Sequence, residues 1–324
     1  MNDNKIQLLF NILLSLEKGE KTPLITKETA EFSIKAHLTP LLYYLLKKST
    51  VWNETEDLLK RGLTREFNIF ISNYISHVEP ELNFIYDIFE KNSIEFLPIK
   101  GIYNQTLYPE PFLRPLGDYD IFIKKNDMDN ISQLLYNEGY KIHNSPNDNF
   151  MGYISHAKTF MHKKFLNIDL HYRIFQKWRY PVDERKIWEN SKKIGFRREL
   201  APEDAFIINA GNIIKDRFAG PLVRLWDLYY LLNKNLDYNY IDYQIEKAGL
   251  NNGYLTLIEI IDNLFNIKIK TKIKGYPLKM KLAFEKNEGE AERYLNALQT
   301  IGHKKNKIIY TGVYALLKLG GKIF

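Results

Sequence analysis

Asp118-Tyr119-Asp120 runs directly into Ile121-Phe122-Ile123, so two carboxylates open a short stretch that is otherwise apolar. In an extended strand, residues two apart share a face. Asp118 and Asp120 therefore aim at one spot, while Tyr119 and Ile121 point the opposite way. Like charges held that close repel, and the arrangement is costly unless a cation shares them. A third acid lies in Asn167-Ile168-Asp169-Leu170-His171, which reads as another short apolar strand carrying one carboxylate. Oxygen-only donors, with no cysteine or histidine beside the pair, suit a hard cation such as Mg²⁺ or Mn²⁺. Three acids on two strands are the donor set that two-metal phosphoryl- or nucleotidyl-transfer chemistry needs.

A lone D-x-D is a common surface pattern, so its neighbours decide its meaning. Phe96-Leu97-Pro98-Ile99 is an apolar strand that runs into Lys100-Gly101 and then a helix-capable stretch to Tyr108. Glycine at that junction lets backbone approach a phosphate, and a helix N-terminus behind it favours anions. Strand, glycine turn, helix, acid-pair strand and a later single-acid strand form a far more specific order than any one piece.

Lys100-Gly101, Arg114, Asp118 with Asp120, and Ile168-Asp169-Leu170-His171 together resemble the motifs of uncharacterised bacterial nucleotidyltransferases of the DNA polymerase beta superfamily. His37-Leu38-Thr39-Pro40-Leu41-Leu42, Pro202-Glu203-Asp204 and Leu222-Val223-Arg224-Leu225-Trp226-Asp227-Leu228 are similar to further landmarks, so the resemblance covers residues 30 to 260. It implies an α+β fold, a nucleotidyltransferase-type mixed sheet core (91–180) flanked by an N-terminal helical region (1–90) and a C-terminal helical region with a basic tail (181–324). It further implies transfer of an NMP from an NTP to an acceptor hydroxyl, dependent on Mg²⁺ or Mn²⁺. Asp118, Asp120 and Asp169 would be the metal-binding carboxylates. Lys100, Gly101, Arg114, His171 and Arg224 would serve the nucleotide. One departure matters. The superfamily's Gly-Ser is Lys100-Gly101-Ile102 here, so no serine hydroxyl grips the triphosphate, and Lys100 or Arg114 is expected to take over.

Several of these residues have plainer readings. Arg114 either binds phosphate or neutralises the acid pair. His171 shares a strand face with Asp169 and either orients the metal site or is a satisfied structural histidine; Arg173 extends that face. Arg224 and Asp227, three apart on one helix, suit an intrahelical ion pair. Lys215-Asp216-Arg217 reads as a charge run at a helix end.

Charge is uneven along the chain. From Lys268 to Phe324 there are 13 Lys or Arg against 4 Glu, a net of +9, while the whole chain is +7 and the remainder therefore −2. Lys268, Lys270, Lys272 and Lys274 alternate with Ile and Thr, as on an edge strand guarded by lysines. The apolar end from Ile308, punctuated by lysine, suits either a packed terminal helix or peripheral contact with a membrane. Nucleic-acid binding through this tail is not favoured; a small-molecule or protein acceptor is expected. The chain has no cysteine, which excludes disulfides and thiolate zinc and fits a reducing cytoplasm. No apolar run approaches transmembrane length. An RNA-modifying or toxin-type nucleotidyltransferase, and a catalytically silent NTP-binding module, stay open as rival readings.

Apolar periodicity predicts helices from residue 4 to about 90, over Met128 to Glu138, and over Glu203–Ile214, Leu222–Leu232, Tyr240–Ala248 and Gly253–Phe265, with a strand over Phe160–Phe165.

Overall fold

The computed structural model describes residues 2–143, 155–278, 299–303, 307–308 and 311. Its N-terminal part is helical, as the periodicity predicts. Ile6, Leu9, Phe10 and Leu13 recur on one buried face of α1 (Asn2–Glu17). α2 (Lys27–Ala36) starts at Thr26, whose side chain accepts from the Thr29 amide, and stops at His37 in the left-handed region. α3 (Thr39–Lys48) carries Pro40 in its first turn. After the short α4 (Val51–Glu54), α5 (Asp57–Asn73) continues through a π-helical segment, Tyr74–Val78, into α6 (Glu79–Lys91). These three segments thus form one continuous rod. Pro80 explains the π turn, because it has no amide hydrogen and its ring crowds the carbonyl four residues back.

Among the described residues the centre is a seven-stranded mixed sheet in the order β3-β4-β5-β2-β1-β7-β6. Its strands are β1 (Phe96–Pro98), β2 (Asp118–Ile123), β3 (Lys141–Ile142), β4 (Ala157–Met161), β5 (Asn167–His171), β6 (Lys192–Ile194) and β7 (Arg197–Glu199). β2 pairs antiparallel with β1 and parallel with β5. The pleat then sorts side chains between two cores. Tyr119, Ile121 and Ile123 of β2, with Ile168 and Leu170 of β5, join the core under α6 and α8 (Met128–Asn137), the helix that follows the short α7 (Lys100–Asn104). Asp118, Asp120, Asp169 and His171 alternate with them and so face the other side. A slip of one residue would bury the acids in an apolar core, so the register is firmly specified.

The second core joins both ends of the chain. α1 and α3 pack with α10 (Pro202–Lys215), α11 (Val223–Leu232), α12 (Tyr238–Ala248) and α13 (Asn251–Phe265), reached through α9 (Glu184–Asn190). Trp226, fully buried, meets Phe10 and Phe265 edge to face. No described helix is long and apolar enough to cross a membrane.

Three expectations need correction. The strand placed over 160–165 lies four residues earlier at its end, over Ala157–Met161. The hairpin β6–β7 adds two strands from beyond residue 190 to the sheet, through pairing of β7 with β1. The lysine-alternating segment pairs with no described strand: Ile269 and Ile273 are buried, Lys268, Lys270, Lys272 and Lys274 are exposed, and Asp242 accepts from Thr271 Oγ1 and the Lys272 amide. It is a strap across α12, and the alternation follows from its two faces. Residues 279–298, and the apolar end beyond Ile308 apart from Thr311, lie outside the described residues, and with them most of the basic tail.

Candidate active site

β2 and β5 bring the acids together by register. Asp120 lies directly opposite Asp169, and Asp118 opposite Asn167. Asp120, Asp169 and His171 offer ligand atoms all within 4.8 Å of one another. Asp118 stands exposed at the start of β2 and lines the same cleft, a space of ≈ 400 Å³ that also takes in Lys100, Gly101, Arg114, Lys215 and Arg224. That size falls in the range of small-molecule sites. All the residues expected at the site are therefore around one cleft except His171, which lies just beneath it against Asp120.

Asp120 is buried and must be neutralised. Lys100 Nζ lies 2.6 Å from its Oδ1, and His171 Nε2 lies 2.8 Å from the same oxygen. Burial alone would raise the Asp120 pKa, but Lys100 and His171 outweigh it and hold the carboxyl well below the usual range. Burial likewise works against the Lys100 ammonium, and Asp120 outweighs it, leaving Lys100 above the ordinary lysine value. Burial, then the Lys100 charge, push His171 down, so its ring is neutral. A neutral ring beside that carboxylate donates through Nε2. Nδ1 then carries the lone pair and has no hydrogen-bond partner among the described residues. His171 thus positions Asp120. The expectation of no histidine beside the acid pair is corrected by the fold, which adds this imidazole from β5.

Asp118 behaves oppositely. Burial, then the charge of Asp120, push it up to about 6, an effect that solvent at the cleft mouth partly screens. Asp169 accepts from Thr159 Oγ1 at 2.6 Å, and this contact is also through Oδ1. Oδ2 of Asp120, Oδ2 of Asp169 and both oxygens of Asp118 accept no hydrogen bond among the described residues. Several unmatched carboxylate oxygens, crowded and mutually repelling, fit a hard divalent cation.

Lys100 has φ +50, in the left-handed region that a side chain disfavours. Such a residue costs about 1–3 kcal/mol and persists only where its surroundings hold it. Here the hold is visible: the Ile99 amide donates to the Asp120 carbonyl on β2, and the ammonium reaches that residue's carboxylate. Gly101 follows, and a Cβ there would meet Leu116 Cδ2 at 2.9 Å, so the absent side chain makes room for the 114–117 loop.

Arg114 proves to be committed elsewhere. Its Nε and Nη2 both reach Asp227, with Nη2 at 2.8 Å from Oδ2, and Nη1 donates to the Pro115 carbonyl. Tyr108 Oη and Asn104 Nδ2 complete the Asp227 carboxylate at 2.8 Å each, and Asn104 is locked to Asn209 by two reciprocal amide bonds. The intrahelical Arg224–Asp227 pair is therefore absent. Arg224 Nη1 pairs with Asp216 at 2.7 Å, and its Nη2 donates to the Ala219 carbonyl. Both partners lie on the turn after α10, which contains Arg217 (φ +56), Phe218 (φ +60) and Gly220 (φ +120). A Cβ at Gly220 would overlap the Arg224 guanidinium, so only glycine admits that contact.

Lys215 closes α10 and lines the cleft, a position that its reading as a helix-end charge overlooked. Burial, then the charge of Lys100, depress it to about 8. No local sequence signal marks it, since its surroundings come from the Lys100-Gly101 turn, β2, β5 and α11.

No curated protein matches the chain. A family model described as "Uncharacterised nucleotidyltransferase" matches residues 27–266, from the start of α2 to the end of α13, and so takes in the acid strands and both walls of the cleft. The chain is an enzyme of that class, a member of this nucleotidyltransferase family.

Proposed function

We propose that this enzyme moves an NMP from an NTP to the hydroxyl of a small-molecule or protein acceptor, releasing pyrophosphate. The observation that carries the reading is the placement of Asp120 opposite Asp169 on adjacent parallel strands, with Asp118 on the same face. A divalent cation held by Asp118, Asp120 and Asp169 would screen the triphosphate and make the acceptor hydroxyl more acidic. Asp169 takes the hydroxyl proton. The acceptor oxygen bonds to the α-phosphorus, the bond from that phosphorus to the bridging oxygen breaks, and pyrophosphate leaves with the electron pair.

The surrounding residues prepare this chemistry. His171 and Lys100 keep Asp120 ionised and oriented at any physiological pH. Thr159 fixes the rotation of Asp169 by holding one oxygen and leaving the other free. Gly101 and the loop at Arg114 shape the floor beside the phosphates. The cysteine-free chain suits the reducing cytoplasm, where NTPs are abundant.

The test is incubation with each of the four NTPs and Mg²⁺ or Mn²⁺, against cell extract separated into small molecules, RNA and protein. Pyrophosphate release that requires one non-RNA fraction is expected. Release only with RNA would replace the acceptor class, and nucleotide binding without release on any fraction would favour a silent binding module.

A further inference from the structure

Among the described residues the cleft is lined by four lysine or arginine side chains, and three already face a carboxylate. Lys100 has Asp120, Arg114 has Asp227 and Arg224 has Asp216. Lys215 makes no hydrogen bond or ion pair with any described residue, though it stands half-buried in the cleft wall. An ammonium partly withdrawn from water without a partner is unfavourable, and the nearby charge of Lys100 makes it more so. An incoming anion reverses both effects.

The backbone beside Lys215 points the same way. Two successive residues other than glycine, Arg217 and Phe218, sit in the left-handed region one residue beyond it. Strain of this kind gathers where a site needs a fixed shape. Here the turn supplies Asp216 and the Ala219 carbonyl to Arg224, so the arginine is held while the lysine is left unmatched.

We infer that Lys215 is the cleft's phosphate ligand, taking the charge of the polyphosphate tail from the helical wall opposite the acids. This rests on the proposed nucleotide substrate, and it fills the part left by the missing serine after Lys100.

Inorganic tripolyphosphate, which carries no nucleoside and no transferable group, is the probe. Its binding to the full chain is measured by calorimetry for the wild type and Lys215→Met, with thermal midpoints recorded in parallel. The expected result is at least tenfold weaker binding by Lys215→Met, with a midpoint equal to or above that of the wild type, since an unmatched half-buried charge is removed. Equal affinity, or weaker binding that comes with a lowered midpoint, would show a structural lysine and overturn the inference. Wild-type protein that fails to bind tripolyphosphate yet still releases pyrophosphate from an NTP sinks this inference alone. Tripolyphosphate binding that depends on Lys215, without any transfer, sinks the proposed function and leaves the inference standing.

Discussion

Two buried cation–carboxylate pairs flank the same cleft, and they differ in how completely each is closed. Around Asp227 both oxygens are occupied, by Arg114, Tyr108 and Asn104, and Asn104 is itself tied to Asn209. Around Asp120 both contacts crowd onto Oδ1, the lysine that supplies one of them is strained, and Oδ2 is left to the cleft. The first network knits the 101–114 segment to α10 and α11. The second holds a charge in place while leaving it able to bind. A closed network is built for stability, whereas an open one is useful only when a ligand completes it.

The largest effect should come from breaking the closed pair. Arg114→Ala leaves a fully buried carboxylate without its counter-charge, and about 3–5 kcal/mol of stability should be lost in denaturant melts. This departs from the expectation that Arg114 takes over the grip on the triphosphate. An unchanged midpoint would place Arg114 with the ligand after all and erase the contrast between the two pairs.

A smaller effect isolates the strained backbone at the open pair. Lys100→Gly and Lys100→Ala both remove the ammonium, so their difference reports the left-handed φ alone. The glycine variant should be the more stable by about 1 kcal/mol. Equal stabilities would mean that the turn relaxes once the lysine is gone.

The smallest effect is a pH dependence. Asp118 titrates higher folded than unfolded, so it favours the folded state below 3.8 and that contribution is lost as pH rises to about 6. Asp120 has the opposite sign: its lowered pKa stabilises the fold above the ordinary carboxylate value, and the gain is lost on acidification through the folded pKa. Asp118→Asn should therefore raise the thermal midpoint by about 2 °C near pH 8, a modest shift because Asp118 is exposed, and the gap should narrow towards about pH 4. A midpoint lowered at high pH would show that Asp118 is already neutralised by a protein cation.

How much of this was legible in the sequence follows from which interactions are local. The acid strands could be read because alternation of charge and apolar side chains states which face each residue takes, and the fold kept that alternation. The long helices of both ends were equally plain from their spacing. The β6–β7 hairpin was not, since Lys192-Lys193-Ile194 and Arg197-Arg198-Glu199 lack a buried face and become strands by pairing β7 with β1. Arg224 and Asp227 misled for the converse reason. Three residues apart on α11, they suit a local pair worth about 0.2–0.5 kcal/mol, and each took a stronger partner in a better geometry. Lys215 carries its meaning in what it lacks, and that depends on where the other three cations found their carboxylates.

The central claim is that the open carboxylates serve transfer of the nucleotide itself, and the position of a label tests it most directly. The enzyme is given NTP labelled at the α-phosphorus and, in parallel, at the γ-phosphorus, with Mg²⁺ and the active acceptor fraction, for the wild type and Asp120→Asn. The account predicts that only the α-label enters the acceptor, and that Asp120→Asn, less stable because the Lys100 ammonium loses its counter-charge, slows this by about 10³-fold at a temperature where the variant is still folded. Transfer of the γ-label, or an undiminished rate in Asp120→Asn, would contradict it.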